Sequence, residues 1–178
     1  NHVTANTTLS VDDTLFFVRG NLVTTSTNLL TMKHGSNANG ASNSSFVSGP
    51  VKKVGNNEFK YPVGKNSSYY PIIISAPSNS TDAFTAEYYN TLQTYGSGVD
   101  VPLSGISNCD YWTLNRTTGT SNVYVSCGWT NGVCHNLDTT DARIASYSGG
   151  TWINAGNSLR WVDVQNFIKS SSTQSNFT

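Results

Sequence analysis

Apolar and polar positions alternate along most of this chain with a period of two. In DAFTAEYYN (82–90), Phe84, Ala86 and Tyr88 fall on one face and Thr85, Glu87 and Tyr89 on the other, as in a half-buried strand. FVSGPV (46–51), EFKYPV (58–63), CDYWTLNRT (109–117), SNVYVSCGW (121–129), ARIASYSGG (142–150), TWINAG (151–156) and SLRWVDVQ (158–165) read as further strands, separated by turn-forming residues. The continuous apolar run in YYPIIIS (69–75) predicts a strand buried on both faces, and SGGT before Trp152 is a hairpin signal. No stripe of 3.6-residue period extends beyond two turns. The expectation is an all-β fold, a mainly antiparallel, jelly-roll-like β-sandwich.

The first 45 residues differ. TTLSV, TLFFVRG, NLVTT and NLLTMKHG are short and fairly evenly spaced, then give way to the polar loop SNANGASNSS. Such spacing suits rungs of a β-solenoid as well as successive hairpin strands. Two regions follow: N-terminal strands over 1–45, solenoid-like or part of the sandwich, and a sandwich domain over 46–178. The polar tail FIKSSSTQSNFT leaves room for a final sandwich strand beyond Thr178.

Within SSFVSGPVKKVGNNEFKYPVGK (44–65), Phe59 and Tyr61 alternate with Lys60, Pro62 ends ladder donation, and Gly64 is suited to a turn with φ > 0. Lys53 and Lys60 are expected to keep an edge soluble. The segment reads as architecture, without a nucleophile, a metal-ligand set or a phosphate loop.

Composition sharpens this picture. Charged residues make up 11% of the 178, against roughly 25% in an average globular protein. Asn, Ser, Thr and Gly solubilise the surface instead. There are six Lys and only two Glu, Glu58 and Glu87, and the net charge is zero. Nothing therefore draws the chain to nucleic acid or to an anionic membrane, and no apolar run is long enough for a membrane helix. Residue 1 is Asn rather than Met, which fits a processed chain or an excised fragment, and the composition reads as that of a mature, secreted protein.

Cys109, Cys127 and Cys134 fall within 26 residues, so one bridge and one thiol is the largest pairing. Cys127 shares a strand face with Val123, Val125 and Trp129, which makes it a small buried hydrophobe. The preferred disulfide is Cys109–Cys134, with three reduced thiols as the alternative. No CxxC pair supports zinc.

Catalysis finds no foothold. His2, His34 and His135 lie near no nucleophile elbow, and Glu58 and Glu87 sit in predicted strands rather than facing a cleft. The expectation is no enzyme, no catalytic residue and no cofactor. Asp138 and Asp141 in CHNLDTTD could cap a turn or hold a structural calcium. Tyr69, Tyr70, Tyr89, Tyr147 and Trp152 are candidate platforms for a sugar ring, although aromatics on alternating strands are mostly core or sheet-face residues. Trp152, after its turn, is expected to be partly exposed.

SSFVSGPVKKVGNNEFKYPVGK, YYPIIISAPSNSTDAFTAEYYN and ISNCDYWTLNRTTGTSNVYVSCGW together resemble a module of large cell-surface proteins of gliding and polymer-degrading Bacteroidetes. The resemblance spans about residues 44–165. It implies export by type IX secretion to the cell surface and service as a spacer, adhesin or filament module, with no catalytic residues to carry over. Asp13-Thr14-Leu15 also fits the pattern that Bacteroidetes O-glycosylate, making Thr14 a candidate glycosylation site. The expected function is a non-catalytic structural or adhesion module whose partners are other protein subunits or surface polysaccharide. The alternative is a carbohydrate-binding module recognising a neutral polysaccharide.

Overall fold

The structure, a computed structural model, describes residues 1–129, 141–162 and 166–178, with backbone alone over 159–162. Among these residues every regular element is a β-strand, and the fold is an all-β, sandwich-like arrangement. No helix is long and apolar enough to cross a membrane.

The chain begins as a coil of parallel rungs. β1 (His2–Thr4), β2 (Leu9–Val11) and β3 (Thr14–Phe16) form the first, and β4 (Asn21–Val23), β5 (Leu30–Met32) and β6 (Asn37–Asn39) the second. β7 (Val47–Ser48) and β8 (Val51–Val54) continue onto a third. His2 pairs with Asn21, Leu9 with Leu30 and Thr14 with Asn37, all parallel. Leu22 then pairs with Val47 and Leu30 with Val51. Hairpins would pair antiparallel, so the short apolar clusters are solenoid rungs. Each rung is cut short by Ser, Thr, Asn and Gly corners, and Leu30, Met32, Val47 and Val51 point into a shared interior with at most 1% exposure.

β8 joins this coil to the rest of the molecule. On one side it lies parallel to β5, and on the other it pairs antiparallel with β13 (Ala83–Tyr89), Lys53 opposite Phe84. Between them come β9 (Phe59–Tyr61), the small pair β10 (Gly64–Lys65) and β11 (Ser68–Tyr69), and β12 (Ile72–Ile74). The chain ends with β14 (Tyr111–Thr118), β15 (Val125–Trp129), the hairpin β16 (Ile144–Ser148) and β17 (Thr151–Gly156), β18 (Leu159–Val162), β19 (Asn166–Lys169) and β20 (Asn176–Phe177). One sheet has the order β2-β5-β8-β13-β14-β20 and the other β18-β19-β15-β12-β9. The regions on either side of residue 45 therefore share one continuous ladder.

An apolar interior lies between the sheets. Phe84, Ala86, Tyr88 and Leu114 from one meet Tyr61, Ile72, Ile74, Val125 and Ile168 from the other. Burying each large aliphatic side chain contributes about 1.5–3 kcal/mol. The Tyr61 hydroxyl donates to the Phe84 carbonyl at 3.0 Å, meeting the need of a buried phenol for a partner. Burial pushes its pKa well up.

Three local expectations change. Lys53 is not on a soluble edge: β8 is internal, and Lys53 is 2% exposed. Its ammonium donates to the carbonyls of Lys33 and Ser36 at 2.8 and 2.6 Å, and lies 4.9 Å from the centre of the Phe59 ring. Gly64 does not turn the chain through positive φ. Asn66 and Ser67 do that, at φ 50° and 67°. Gly64 is instead a close approach, since a Cβ there would sit 2.3 Å from the Ser68 carbonyl oxygen and 2.9 Å from the Phe46 ring. Finally, Ile73 of β12 is half-buried while Ile72 and Ile74 are enclosed. The strand buried on both faces is β15, where Ser126 and Gly128 are covered as well as Val125, Cys127 and Trp129; Gly128 lies under the Phe167 ring.

Candidate functional site

A cavity of about 270 Å³ opens at one end of the sandwich. β14 brings Tyr111 and Trp112 to its wall, with Asp110 just before it, and β15 brings Cys127 and Trp129. The segment 102–107 borders it, as do residues 141–145 leading into β16, and Trp152 comes from β17. The walls are thus mainly apolar, aliphatic as well as aromatic, with several polar groups among them.

Those polar groups differ in how they are satisfied. Asp110 is buried and accepts from the Tyr88 hydroxyl at 3.1 Å and the Ser107 hydroxyl at 2.7 Å. The indole N–H of Trp112 donates to the Tyr70 carbonyl, and that of Trp152 to the Gly96 carbonyl, each at 2.9 Å. Arg143 pairs with Asp141 at 2.7 Å through one terminal nitrogen. Among the described residues, two buried side-chain atoms have no hydrogen-bond partner: Nε1 of Trp129 and Nε of Arg143. Both residues line the cavity.

The thiol in the wall is not poised for chemistry. Cys127 is free and buried, and burial, reinforced by the nearby Asp110 charge, pushes its pKa far up. A nucleophilic cysteine needs the opposite environment. Cys109 is disulfide-bonded, while Cys134, its expected partner, lies outside the described residues.

Beside the cavity runs a chain of ring contacts. Tyr89 stacks on Tyr111 with centroids 4.8 Å apart and planes 6° from parallel. Tyr95 meets Tyr111 edge-on at 5.8 Å, then Tyr147 at 5.2 Å, and Tyr147 meets Trp152 at 5.3 Å. The Tyr147 hydroxyl donates to the Tyr95 carbonyl, tying the loop after β13 onto the β16–β17 hairpin. Burial raises the pKa of Tyr89 to about 12, with Glu87 adding to the effect.

Among the candidate sugar platforms, Tyr69, Tyr70 and Trp152 are buried, with 6%, 6% and 4% exposure. The partly exposed position expected for Trp152 is corrected: its ring is covered by Tyr95 and Tyr147. Tyr70 packs on Tyr88 at 4.9 Å, and Tyr69 lies under the Lys60 ammonium. Tyr89 and Tyr147 are half-buried within the ring chain. Thr14 is half-buried on β3 and bonds the Asp13 carboxylate at 3.2 Å. Glu58, His2 and His34 are exposed and dispersed. Glu87 is held by Lys65 at 3.1 Å and by the Tyr89 hydroxyl at 2.9 Å.

Asp138, one of the two expected cation ligands, lies outside the described residues, as does His135. Asp141 is exposed and engaged by Arg143. Among the described residues no three His, Cys, Asp or Glu side chains gather around a point.

Nothing in the sequence pattern marks Arg143 or Asp110 as site residues, and Trp129 reads there only as core. Alternation correctly predicts the burial of Trp129. What it misses is the missing acceptor for its N–H, which depends on residues distant in the chain. Set beside known proteins, this chain matches no family model, no curated protein and no solved structure.

Proposed function

We propose that this chain is a non-catalytic extracellular module of a bacterial cell-surface or filament protein, serving structure or adhesion. The observation that carries the reading is β8, whose backbone is parallel-bonded to a rung on one side and antiparallel-bonded to the sandwich on the other. Load entering the coil passes into the sandwich through adjacent hydrogen-bonded strands rather than through a linker. The low charge and amide-rich surface support an extracellular setting, as does the disulfide at Cys109. The resemblance to Bacteroidetes surface modules supports a place at the cell surface.

The test is mechanical. A polyprotein of this chain alternating with a marker domain is pulled in a single-molecule instrument. Coil and sandwich should rupture together as one event per module. Rungs that peel away at low force before the sandwich yields would refute the proposal.

A second reading, a carbohydrate-binding module, is favoured by one specific observation: a mainly apolar cavity with two donors, among the described residues, that lack acceptors. A concave, mainly apolar site with a few placed polar groups is the usual form of a small-ligand pocket. Its test is binding to neutral polysaccharides by affinity electrophoresis, and unaltered migration in all of them would end it.

A further inference from the structure

Among the described strands β3 (Thr14–Phe16) has one partner, β6, and its outer side is open. The ladder bonds fix which backbone groups that side presents. Phe17 donates to the Asn39 carbonyl, and the Asp13 carbonyl accepts from Asn37, so the odd-numbered residues face β6. The N–H and C=O of the residues between them point away, which leaves those of Thr14 and Phe16 without a backbone partner among the described residues. Native sheets blunt such edges with lysine, proline or a bulge. Thr14-Leu15-Phe16 holds neither lysine nor proline, and its register with β6 is unbroken.

The side chains alternate in the same way. Leu15 and Phe17 pack against the core, whereas Phe16 and Val18 stand out with 68% and 84% exposure. Charge flanks this apolar pair evenly: Asp13 lies three residues before Phe16, and Arg19 three after it. Among the described residues neither forms an ion pair, since Lys33 is engaged by Asp12 at 2.8 Å. A strand with opposite charges equidistant from its centre is its own complement when a copy runs antiparallel. The net charge of zero adds no long-range repulsion between copies.

We propose that β3 is a self-association edge, pairing antiparallel with β3 of a second copy about a twofold axis through Phe16. The two-stranded sheet then becomes four strands, β6-β3-β3-β6. Phe16 lies opposite its own counterpart and Thr14 opposite Val18, both as hydrogen-bonded pairs, which matches the residues whose backbone groups point outward. Asp13 falls opposite Arg19 in both directions, in the closer, non-hydrogen-bonded class of pair. Centring the axis on Leu15 would keep the ladder but set Asp13 against Phe17, so charge selects Phe16. One aromatic pair and two charge pairs are cross-strand contacts of the kind that stabilise sheets. An isologous contact uses each edge once, so association closes at two copies.

The experiment uses the full 178-residue chain. Sedimentation equilibrium at rising concentration should show monomer and dimer and no larger species. Phe16→Pro removes an outward N–H and the central ring without touching a bond to β6, and should leave monomer alone. Arg19→Asp brings like charges together at two places and should weaken the dimer about tenfold. Adding Asp13→Arg to that variant should restore wild-type affinity, and this swap decides the matter should Phe16→Pro fold poorly.

Register is read with cysteine. Hydrogen-bonded partners have Cα atoms about 5.5 Å apart, within disulfide reach, so Phe16→Cys should give a covalent dimer on mild oxidation. In Val18→Cys the two thiols are held about 14 Å apart, four residues at about 3.4 Å each. That thiol should stay reduced although its position is the more exposed one. A chain that stays monomeric at near-millimolar concentration, or that grows into open-ended polymers, would overturn the proposal. Preferential cross-linking of Val18→Cys, or a dimer indifferent to the charge reversal, would do the same.

Discussion

Replacing Lys53 by methionine isolates the cost of holding an ammonium inside the rung-to-sandwich junction. Methionine is unbranched, similar in reach and apolar. Burial lowers the Lys53 pKa from 10.5 to about 8. Below pH 8 both folded and unfolded chains carry the proton, and the full desolvation cost is present. Between about 8 and 10.5 the unfolded chain binds more protons than the folded one, so stability rises with pH. The whole window is worth about 3 kcal/mol at 1.36 kcal/mol per unit, and the part between about pH 7 and 9.5 about 2 kcal/mol. Three oxygens, two from carbonyls and one from the Ser36 hydroxyl, surround the amine. They favour the charged form, so this figure is an upper value.

The absolute midpoint of Lys53→Met is less informative than its pH dependence. The variant escapes desolvation but takes the ammonium donor from the Ser36 carbonyl, at about 1–3 kcal/mol, while the Lys33 carbonyl still accepts from the Ser36 N–H and hydroxyl. Urea unfolding followed by tryptophan fluorescence at the two pH values separates the effects. With a slope of about 2 kcal/mol per molar, the wild-type midpoint should rise by up to about 1 M relative to that of Lys53→Met. The raised pKa values of the buried tyrosines contribute equally to both proteins and cancel. Midpoints that keep a constant separation at both pH values would refute the reasoning.

Gly119 has φ +87°, and a Cβ there would fall 1.7 Å from an oxygen of Asp82. Gly119→Ala should therefore cost more than the about 1–2 kcal/mol of left-handed backbone alone, whereas Gly149→Ala, at φ +60° with open space around it, should cost only that; paired thermal melts read the difference. Asp82 accepts a hydrogen bond from the Ser121 hydroxyl that holds its carboxyl below the ordinary range. The resulting stabilisation is present above the ordinary carboxylate pKa and lost as pH falls through the folded one, so acid unfolding of Asp82→Asn should be less steep than that of wild type. Cys127, buried with its pKa raised, should resist alkylation at about pH 8 in the native chain and react fully in guanidinium without reductant. Rapid labelling of the native protein would contradict its placement.

Much of the fold could be read from local pattern. The alternation of Phe84, Ala86 and Tyr88 predicts the face that β13 buries, and SGGT predicts the β16–β17 hairpin. The rungs were legible as short, even clusters, but their parallel pairing was not, because a three-residue strand does not declare its neighbour. Lys53 misled for a related reason. A lysine in a strand signals an edge only when the strand is an edge, and β8 has partners on both sides. Trp152 follows its turn as expected, yet a loop 56 residues earlier in the chain folds over it. The cavity was invisible for the same physical reason: its donors, acceptor and walls come from segments that meet only after both sheets form.

A strand with two bonded neighbours of opposite polarity also fixes phase. Sliding β8 by one residue would swap Lys53 with its neighbours and turn the interior of both ladders outward at once. The sandwich thus acts as a template that sets which side chains of the coil face inward, and an alignment error at either end is felt at the other. Severing the molecule at residue 45 would deprive the coil of that template and leave the parallel side of β8 unpaired, an invitation to edge-to-edge association.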